Sequence, residues 1–369
     1  MSELSPLDLE QIEVELPDFT MEVYREAQRM RARAEARKLV EAESRTPVTL
    51  PPVRTLTEFL SIPDERTQYV IEGLLTAGAR VILAAQYKSG KTTLLGNLIR
   101  SLVDGDPFLE TFEVHQTTTV TLIDNELDER MLRSWLRAQN IQNTDAVRLV
   151  SLRGSVGSFD LLDGSVRAQW AEALHSPGVV LFDCLRPVLD ALGLDENREA
   201  GRFLVAFDAF LKESEATEAV VVHHMGHSGE RSRGDSRLQD WPESTWKLVR
   251  QDADDPSSPR YFSAFGRNVD EAERALSYDE STRRLTLTEG NRKQSRDAAQ
   301  TAELLPQIVE YVGLHPGVSG SGLETLPGAV SAIRTARRQA VAQGLIVEVE
   351  RQGRGGGKAY YLPSEPNPV

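Results

Sequence analysis

A Gly-Lys-Thr loop between a strand pattern and a helix pattern is the clearest chemical feature of this sequence. Residues 81–85 are apolar and uncharged, as in a buried strand, and apolar residues recur at helical spacing over residues 94–102. The amides of such a loop and the helix N-terminus attract phosphate, and the lysine reaches the β- and γ-phosphates. The stretch therefore predicts a nucleotide site. Its candidate binding residues are Ala85, Gln86, Tyr87, Lys88, Ser89, Gly90, Lys91, Thr92 and Thr93.

Two residues are candidates for holding Mg²⁺. The hydroxyl of Thr92 directly follows the loop lysine, and Asp183 ends the apolar stretch 177–182. In P-loop proteins an aspartate at the end of such a strand holds the metal beside the loop threonine. Ala85 stands where the usual pattern G-x-x-x-x-G-K-[ST] has its first glycine. Because alanine can turn there with a negative φ, we interpret it as a permitted variant.

An acidic cluster follows the next β-branched run, residues 118–123. Hydrolysis needs a base or a water-positioning group near the γ-phosphate, and we expect this strand end to lie beside the P-loop. Glu126 is the first candidate because its longer side chain reaches over the phosphate, and Asp124 is the second. Either Asp124 or Asn125 is also expected to cap the following helix.

Three of the six histidines, His223, His224 and His227, lie within five residues. A zinc site would need further ligands, and the sequence has no other His/Cys cluster. We therefore favour a histidine that hydrogen-bonds the γ-phosphate or the catalytic glutamate over a metal site or a loop without a role. His223 and His224 are both candidates, because a strand alternates its faces and the register is not known from the sequence.

Two basic regions predict contacts with DNA. The loop over residues 228–239 could line a DNA channel, supply an arginine finger to a neighbouring copy, or simply be solvated. Residues 331–360 contain six basic and two acidic residues, which favours phosphate contacts over protein docking. The candidates are Arg231, Arg233 and Arg237 in the loop, and Arg334, Arg337, Arg338, Arg354 and Lys358 near the C-terminus.

The elements that position these residues form an α/β pattern. Strand and helix patterns alternate over residues 80–222, which predicts a mostly parallel sheet with helices on both faces. Short strand patterns at 246–250, 260–266 and 284–288 predict an antiparallel extension. Two helix patterns and a hairpin then predict a C-terminal winged-helix domain. We expect an acidic tail and helical arm (1–45), an ATPase core (46–290), a polar linker (290–299) and the winged helix (300–364).

Composition excludes several classes of protein. The first 20 residues contain six acidic and no basic groups, unlike a secretory signal, and no run reaches the roughly 18 apolar residues of a membrane span. The lone Cys184 cannot form an internal disulfide, which fits a reducing cytoplasm. A net charge of −14 argues against coating nucleic acid with the whole surface. We expect a cytoplasmic protein without a membrane partner.

Taken together, these motifs resemble the RecA-like ATPases of the plasmid RepA type, a hexameric replicative-helicase family of plasmids, phages and actinobacterial mobile elements. The resemblance covers about residues 55–250. It depends on the order and spacing of residues 88–93, 124–126, 182–187, 223–224 and 232–236.

The resemblance implies a RecA-like P-loop core, ATP with Mg²⁺ at subunit interfaces, a hexameric ring on DNA, and a primase or another replication partner. It also implies roles for residues of this sequence: phosphate and metal binding by Lys91 and Thr92, water activation by Glu126, Mg²⁺ positioning by Asp183, γ-phosphate sensing by His223 or His224, and action in trans by Arg233. Two alternatives stay open: an ATP-switched DNA-binding regulator or adaptor, and, with less support, a small-molecule kinase.

Overall fold

The computed structural model describes residues 18–43, 52–63, 67–225, 237–351 and 357–363. The chain divides into two compact units, residues 1–65 and residues 66–369. The first unit contains the helices α1 (Asp18–Glu43) and α2 (Leu56–Leu60). The side chains described on α1, from residue 21 to residue 36, are almost all exposed, which agrees with a predicted helix that has little apolar content.

The second unit is organised around a nine-stranded sheet, to which a small C-terminal sheet is added. Its elements in chain order are β1 (Tyr69–Ile71), β2 (Leu75–Thr76), β3 (Arg80–Ala85), α3 (Lys91–Asp104), β4 (Val120–Asp124), α4 (Glu129–Arg137), β5 (Val147–Ser151), α5 (Gly164–Ala173), β6 (Val179–Asp183), α6 (Leu185–Ala191), α7 (Ala200–Glu213), β7 (Ala219–His224), α8 (Arg237–Asp240), β8 (Ser244–Arg250), β9 (Arg260–Gly266), β10 (Asp270–Asp279), β11 (Arg284–Thr288), α9 (Arg292–Leu314), β12 (Val318–Ser319), α10 (Gly320–Leu323), α11 (Val330–Ala342), β13 (Val347–Glu350) and β14 (Lys358–Tyr361).

The large sheet has the strand order β11-β10-β9-β8-β3-β7-β6-β4-β5. The six strands from β8 to β5 are parallel, and β9, β10 and β11 add antiparallel pairs at one side. The mostly parallel sheet and its antiparallel extension are thus confirmed. Two details differ from the sequence analysis. Strand β8 pairs in parallel with β3. Strand β10 was not predicted, because its side chains are mostly polar and only one of its ten residues is buried.

The strand order corrects the expected neighbours of the P-loop strand. Strand β7 lies between β3 and β6, and β4 lies beyond β6. The strands that end at Asp124 and Asp183 therefore do not pair with β3, although we had expected the strand end at Asp124 to lie beside the P-loop. The residues at these strand ends can still meet, because parallel strands present their carboxyl ends at one edge of the sheet.

Strand β3 is buried on both faces. Val81 and Leu83 pack into the apolar cluster that includes α3, whereas Ile82 and Ala84 pack into the cluster that includes Phe203 of α7. Burial on both faces explains why this strand reads as a continuous apolar run instead of an alternating one. The arrangement confirms helices on both faces of the parallel sheet.

The C-terminal elements form a third apolar cluster. Strands β12, β14 and β13 make an antiparallel sheet, and Ile308 of α9, Ile333 of α11 and Tyr360 of β14 share one core. Helix α9 begins at Arg292, so most of the expected linker 290–299 is helical. The side chains of Asn291 and Gln294 form a capping box that starts the helix, although its first turns are polar and largely exposed. The winged-helix assignment and the predicted domain limits remain predictions.

None of the helices in the described ranges combines the length and the apolar character that a membrane crossing requires.

Candidate functional site

The P-loop accommodates alanine at its first position because the strand continues through it. Ala85 is the last residue of β3 and lies in register with His224 on β7 and Leu248 on β8. The backbone enters the left-handed region later, at Lys88 (φ 56°) and Gly90 (φ 98°). No glycine is therefore required where the motif departs from its usual form.

Two arginines that the sequence analysis missed, one on β8 and one on β9, brace the loop. The backbone N–H of Arg250 donates to Gln86 Oε1 at 2.8 Å, and its Nη2 donates to the carbonyl oxygen of Tyr87 at 3.1 Å. Arg260 Nε donates to the carbonyl oxygen of Ser89 at 2.9 Å. The turn between β8 and β9 predicted a hairpin, but no local pattern indicated that it would face the P-loop.

Three predicted site residues surround the ammonium group of a fourth, Lys91. Lys91 Nζ donates to Glu126 Oε2 in a short contact, lies 3.1 Å from Asp183 Oδ1, and lies 3.2 Å from His224 Nε2. His224 Nε2 is also 3.0 Å from Glu126 Oε1. These residues come from α3 and from the carboxyl ends of β4, β6 and β7. The structure thus brings together the predicted phosphate, base, metal and sensor residues.

The cluster keeps both members of the Lys91–Glu126 pair charged. Burial tends to raise the pKa of Glu126, but the hydrogen bond with His224 and the charge of Lys91 lower this pKa to about 2. Burial opposes the charge of Lys91, yet the carboxylates of Asp183 and Glu126 raise its pKa above the ordinary value. Burial also raises the pKa of Asp183, against the effect of Lys91.

Asp124 holds the turn that presents Glu126. Asp124 Oδ1 accepts the backbone N–H groups of Glu126 at 3.1 Å and Leu127 at 2.8 Å. Its side chain is buried, and this burial raises its pKa to about 6 although the two backbone hydrogen bonds oppose the change. The geometry therefore gives Asp124 a positioning role. The expected helix cap is also corrected, since Asp128 caps α4 by accepting from Met131 N.

Asn125 joins the loop after β4 to the loop after β6. Its Nδ2 donates to the carbonyl oxygen of Cys184 at 2.8 Å, and its Oδ1 accepts from Cys184 N at 3.0 Å. Cys184 in turn places its Sγ 3.3 Å from Glu126 Oε1. The sequence analysis gave neither residue a role in the site. The position of Cys184 directly after Asp183 was the signal that could have found it.

The two adjacent histidines point to opposite faces of β7. His224 faces the Lys91 cluster, whereas His223 is fully buried with Nε2 3.0 Å from Glu196 Oε1. The hydrogen bond with His223 lowers the pKa of Glu196. His227 lies outside the described residues. Of the two candidates, His224 is therefore the one in contact with the loop lysine.

A cavity of about 610 Å³ opens in front of the P-loop. It has room for a nucleotide, and aromatic side chains from three elements lie around it, which suits a stacked base. Residues beyond the predicted motifs also line it, and the sequence signals did not single them out. Its lining includes residues 87–93 together with Glu126, Trp135, Arg186, Glu196, His224, Met225, Arg260, Tyr278 and Leu285.

The predicted basic residues are dispersed. Arg231, Arg233 and Arg354 lie outside the described residues. Arg237 begins α8 and lines a separate groove with Arg167 and Arg202 instead of the P-loop cavity.

The basic residues near the C-terminus have partners within their own segment. Arg334 pairs with Glu324 at 2.7 Å, and Lys358 pairs with Glu348. The guanidinium of Arg337 lies 5.2 Å from the ring centroid of Tyr360, and Arg338 Nε donates to the carbonyl oxygen of Arg334. These contacts neutralise part of the basic surface on which the DNA prediction depends.

Comparison with known proteins places this site in a family. The profile of an AAA domain family matches residues 44–230, a little over half of the chain, and this span includes Lys91, Glu126, Asp183 and His224. The chain belongs to this AAA domain family. It is therefore a member of the P-loop ATPase superfamily, in agreement with the P-loop and the largely parallel sheet.

Other comparisons are more distant. A KaiC-like protein from the hyperthermophilic archaeon Pyrococcus horikoshii OT3 is similar in structure, with 14% identity and a TM-score of 0.44, over 60% of this chain and 99% of that chain. A likeness at this level carries no conclusion about function. A search of curated protein sequences found no match.

Proposed function

We propose that this AAA domain protein binds and hydrolyses ATP at the cavity in front of residues 86–93. The observation that carries the proposal is the meeting of Lys91, Glu126, Asp183 and His224 at this cavity. The loop amides and Lys91 bind the phosphates, which is the role that a P-loop lysine performs. Glu126 then accepts a proton from the attacking water, and His224 holds the Glu126 carboxylate in position.

Phosphate binding would also change the basicity of the Glu126 carboxylate. Lys91 donates to this carboxylate, and the pKa of Glu126 is about 2, which makes it a weak base. A phosphate that attracts Lys91 would remove one cause of this low pKa and raise the basicity of Glu126. Substrate binding thereby activates the base that the reaction needs.

The donor set at the loop suits Mg²⁺. Thr92 and Asp183 both line a small cavity beside the loop, and their side chains carry a hydroxyl and a carboxylate oxygen donor. Oxygen donors of this kind are the protein ligands that Mg²⁺ prefers. When bound, Mg²⁺ neutralises charge that develops on the β- and γ-phosphates.

We further propose that the protein acts on DNA as a hexameric replicative helicase of the RepA type, with a primase or another replication protein as partner. Support comes from the motif set over residues 55–250 and from the basic loop around Arg233, which would act in trans. The order of helices and hairpin from α9 to β14 supports a winged helix. We retain 1–45, 46–290 and 300–364 as proposed domain limits.

ATP turnover in the presence of DNA tests this proposal. The purified chain is assayed without DNA, with single-stranded DNA and with duplex, beside the Lys91→Ala variant. Several-fold stimulation by single strands supports the motor. If single-stranded DNA does not change the turnover rate and the protein binds a specific duplex, the ATP-switched regulator is supported instead of the motor. Turnover that survives in Lys91→Ala would refute the assignment of the P-loop.

A further inference from the structure

Glu126, Cys184 and His224 form a group of soft and hard metal donors beside the P-loop. One ligand atom from each lies within 4.8 Å of the other two. His224 Nε2 is 3.0 Å and Cys184 Sγ is 3.3 Å from Glu126 Oε1. A tetrahedral zinc ion, with bonds of about 2.3 Å to sulfur and about 2.0 Å to nitrogen and oxygen, separates its ligand atoms by about 3.3–3.5 Å. Two of the three separations, those of His224 Nε2 and Cys184 Sγ from Glu126 Oε1, are therefore close to the spacing of zinc ligands.

The surroundings of these donors favour a cation. The ammonium of Lys91 lies against Glu126 and 3.2 Å from His224 Nε2, so a positive charge already occupies this position. Two carboxyl groups, those of Glu126 and Asp183, face this one ammonium. Lys91 has a flexible stem and would move aside, as it also must when it binds phosphate.

The donor types select the metal. A thiolate, an imidazole and one carboxylate suit Zn²⁺, whereas Mg²⁺ prefers oxygen donors such as those of Thr92 and Asp183. Glu126 and His224 also line the P-loop cavity, so a fourth coordination position would face solvent or a phosphate oxygen. Three protein ligands with one open position are typical of zinc sites that exchange their fourth ligand.

We propose that Glu126, Cys184 and His224 bind one Zn²⁺ ion and that this binding inhibits ATP turnover. Binding exchanges the Cys184 S–H bond for a Zn–S bond and releases the proton to solvent. Zinc binds the Glu126 carboxylate, which would otherwise activate water, and this binding removes the hydrogen bond between Glu126 and His224. The inhibition depends on the proposed ATP hydrolysis, whereas the binding of metal does not.

Cobalt spectroscopy tests the site directly, because Cys184 is the one cysteine of the sequence. The full chain is stripped with a chelator and titrated with Co²⁺ in excess Mg²⁺. We expect a thiolate-to-cobalt charge-transfer band at one equivalent, loss of the band on addition of Zn²⁺, and no band in Cys184→Ser. His224→Asn should weaken Co²⁺ binding by about tenfold or more.

Controls separate the metal site from the function. His175→Asn changes a histidine whose side chain is 62% exposed, and it should leave the cobalt spectrum unchanged. Zn²⁺ should inhibit turnover of the wild type in excess Mg²⁺ and should not inhibit any turnover that Cys184→Ser retains. Absence of the charge-transfer band in the folded wild type, or a band of unchanged affinity in His224→Asn, would overturn the proposal. If the protein has no ATPase activity, the spectrum still decides the metal site.

Discussion

Replacing Glu126 with glutamine should separate ATP binding from ATP turnover. The carboxylate has a pKa of about 2 where 4.5 is ordinary, and this difference corresponds to about 3 kcal/mol in favour of the charged form. The side chain is 29% exposed, so solvent screening reduces the stabilisation to about 2 kcal/mol. A phosphate must compete with this carboxylate for Lys91. Glutamine lacks the charge and competes less.

Glu126→Gln should therefore bind ATP more tightly than the wild type, by less than the about 30-fold that 2 kcal/mol would give, because the hydrogen bond with His224 also contributes to the low pKa of Glu126. Loss of the base should lower turnover by about 100-fold or more. Isothermal titration with ATP and a phosphate-release assay measure the two effects. Glu129→Gln is the matched control, because Glu129 is exposed on α4 and its ion-pair partner is not Lys91. Wild-type turnover in Glu126→Gln, or weaker ATP binding, would refute the reasoning.

Four further substitutions test the site and the sheet that supports it. His224→Asn should lower kcat in a turnover assay. His223→Asn should instead cost about 1–3 kcal/mol of stability in urea unfolding, because it leaves Glu196 without its partner. An equal loss of kcat in both variants would contradict the assignment of His224 to the site. Gly178→Ala should destabilise by about 3 kcal/mol or more in the same assay, since φ is +69° and a Cβ would lie 2.0 Å from a backbone oxygen, and an unchanged midpoint would refute this. The pKa of Asp124 is raised to about 6 from 3.8, so its contribution to stability is present below pH 3.8 and is lost as pH rises through 6. Between these pH values the free energy of unfolding of Asp124→Asn should therefore decrease less than that of the wild type. An identical pH dependence in the two proteins would contradict the raised pKa of Asp124.

The sequence predicted which residues meet better than it predicted how the strands are ordered. Lys91, Glu126, Asp183 and His224 all lie at or just beyond the carboxyl ends of parallel strands or at the start of a helix, and these ends share one edge. That rule needs no knowledge of strand order. The insertion of β7 between β3 and β6 depends on long-range packing, which the periodicity of each strand does not encode.

Other features were hidden for physical reasons. Strand β10 has mostly polar side chains and only one buried residue, so hydrophobic alternation could not reveal it. Arg250 and Arg260 reach the P-loop only because β8 pairs in parallel with β3 and β9 folds back on β8. The start of α9 was readable, because Asn291 and Gln294 have the spacing of a capping box, although the polar composition suggested a linker.

The role of Cys184 could not be obtained from composition. A single cysteine in an apolar segment is typical of a core residue, and Cys184 is indeed buried. Its contact with Glu126 arises because Asn125 holds the two loops together through the Cys184 backbone. This contact joins residues 58 positions apart in the sequence.

Steady-state ATP turnover in Mg²⁺, measured for the wild type and Lys91→Ala purified in parallel, decides whether the P-loop cavity hydrolyses ATP. We predict Mg²⁺-dependent phosphate release by the wild type and its loss in Lys91→Ala, with both proteins folded by circular dichroism. Equal phosphate release by the two proteins would contradict the claim that this cavity hydrolyses ATP. The same holds if a folded wild type binds ATP but releases no phosphate, either with or without DNA.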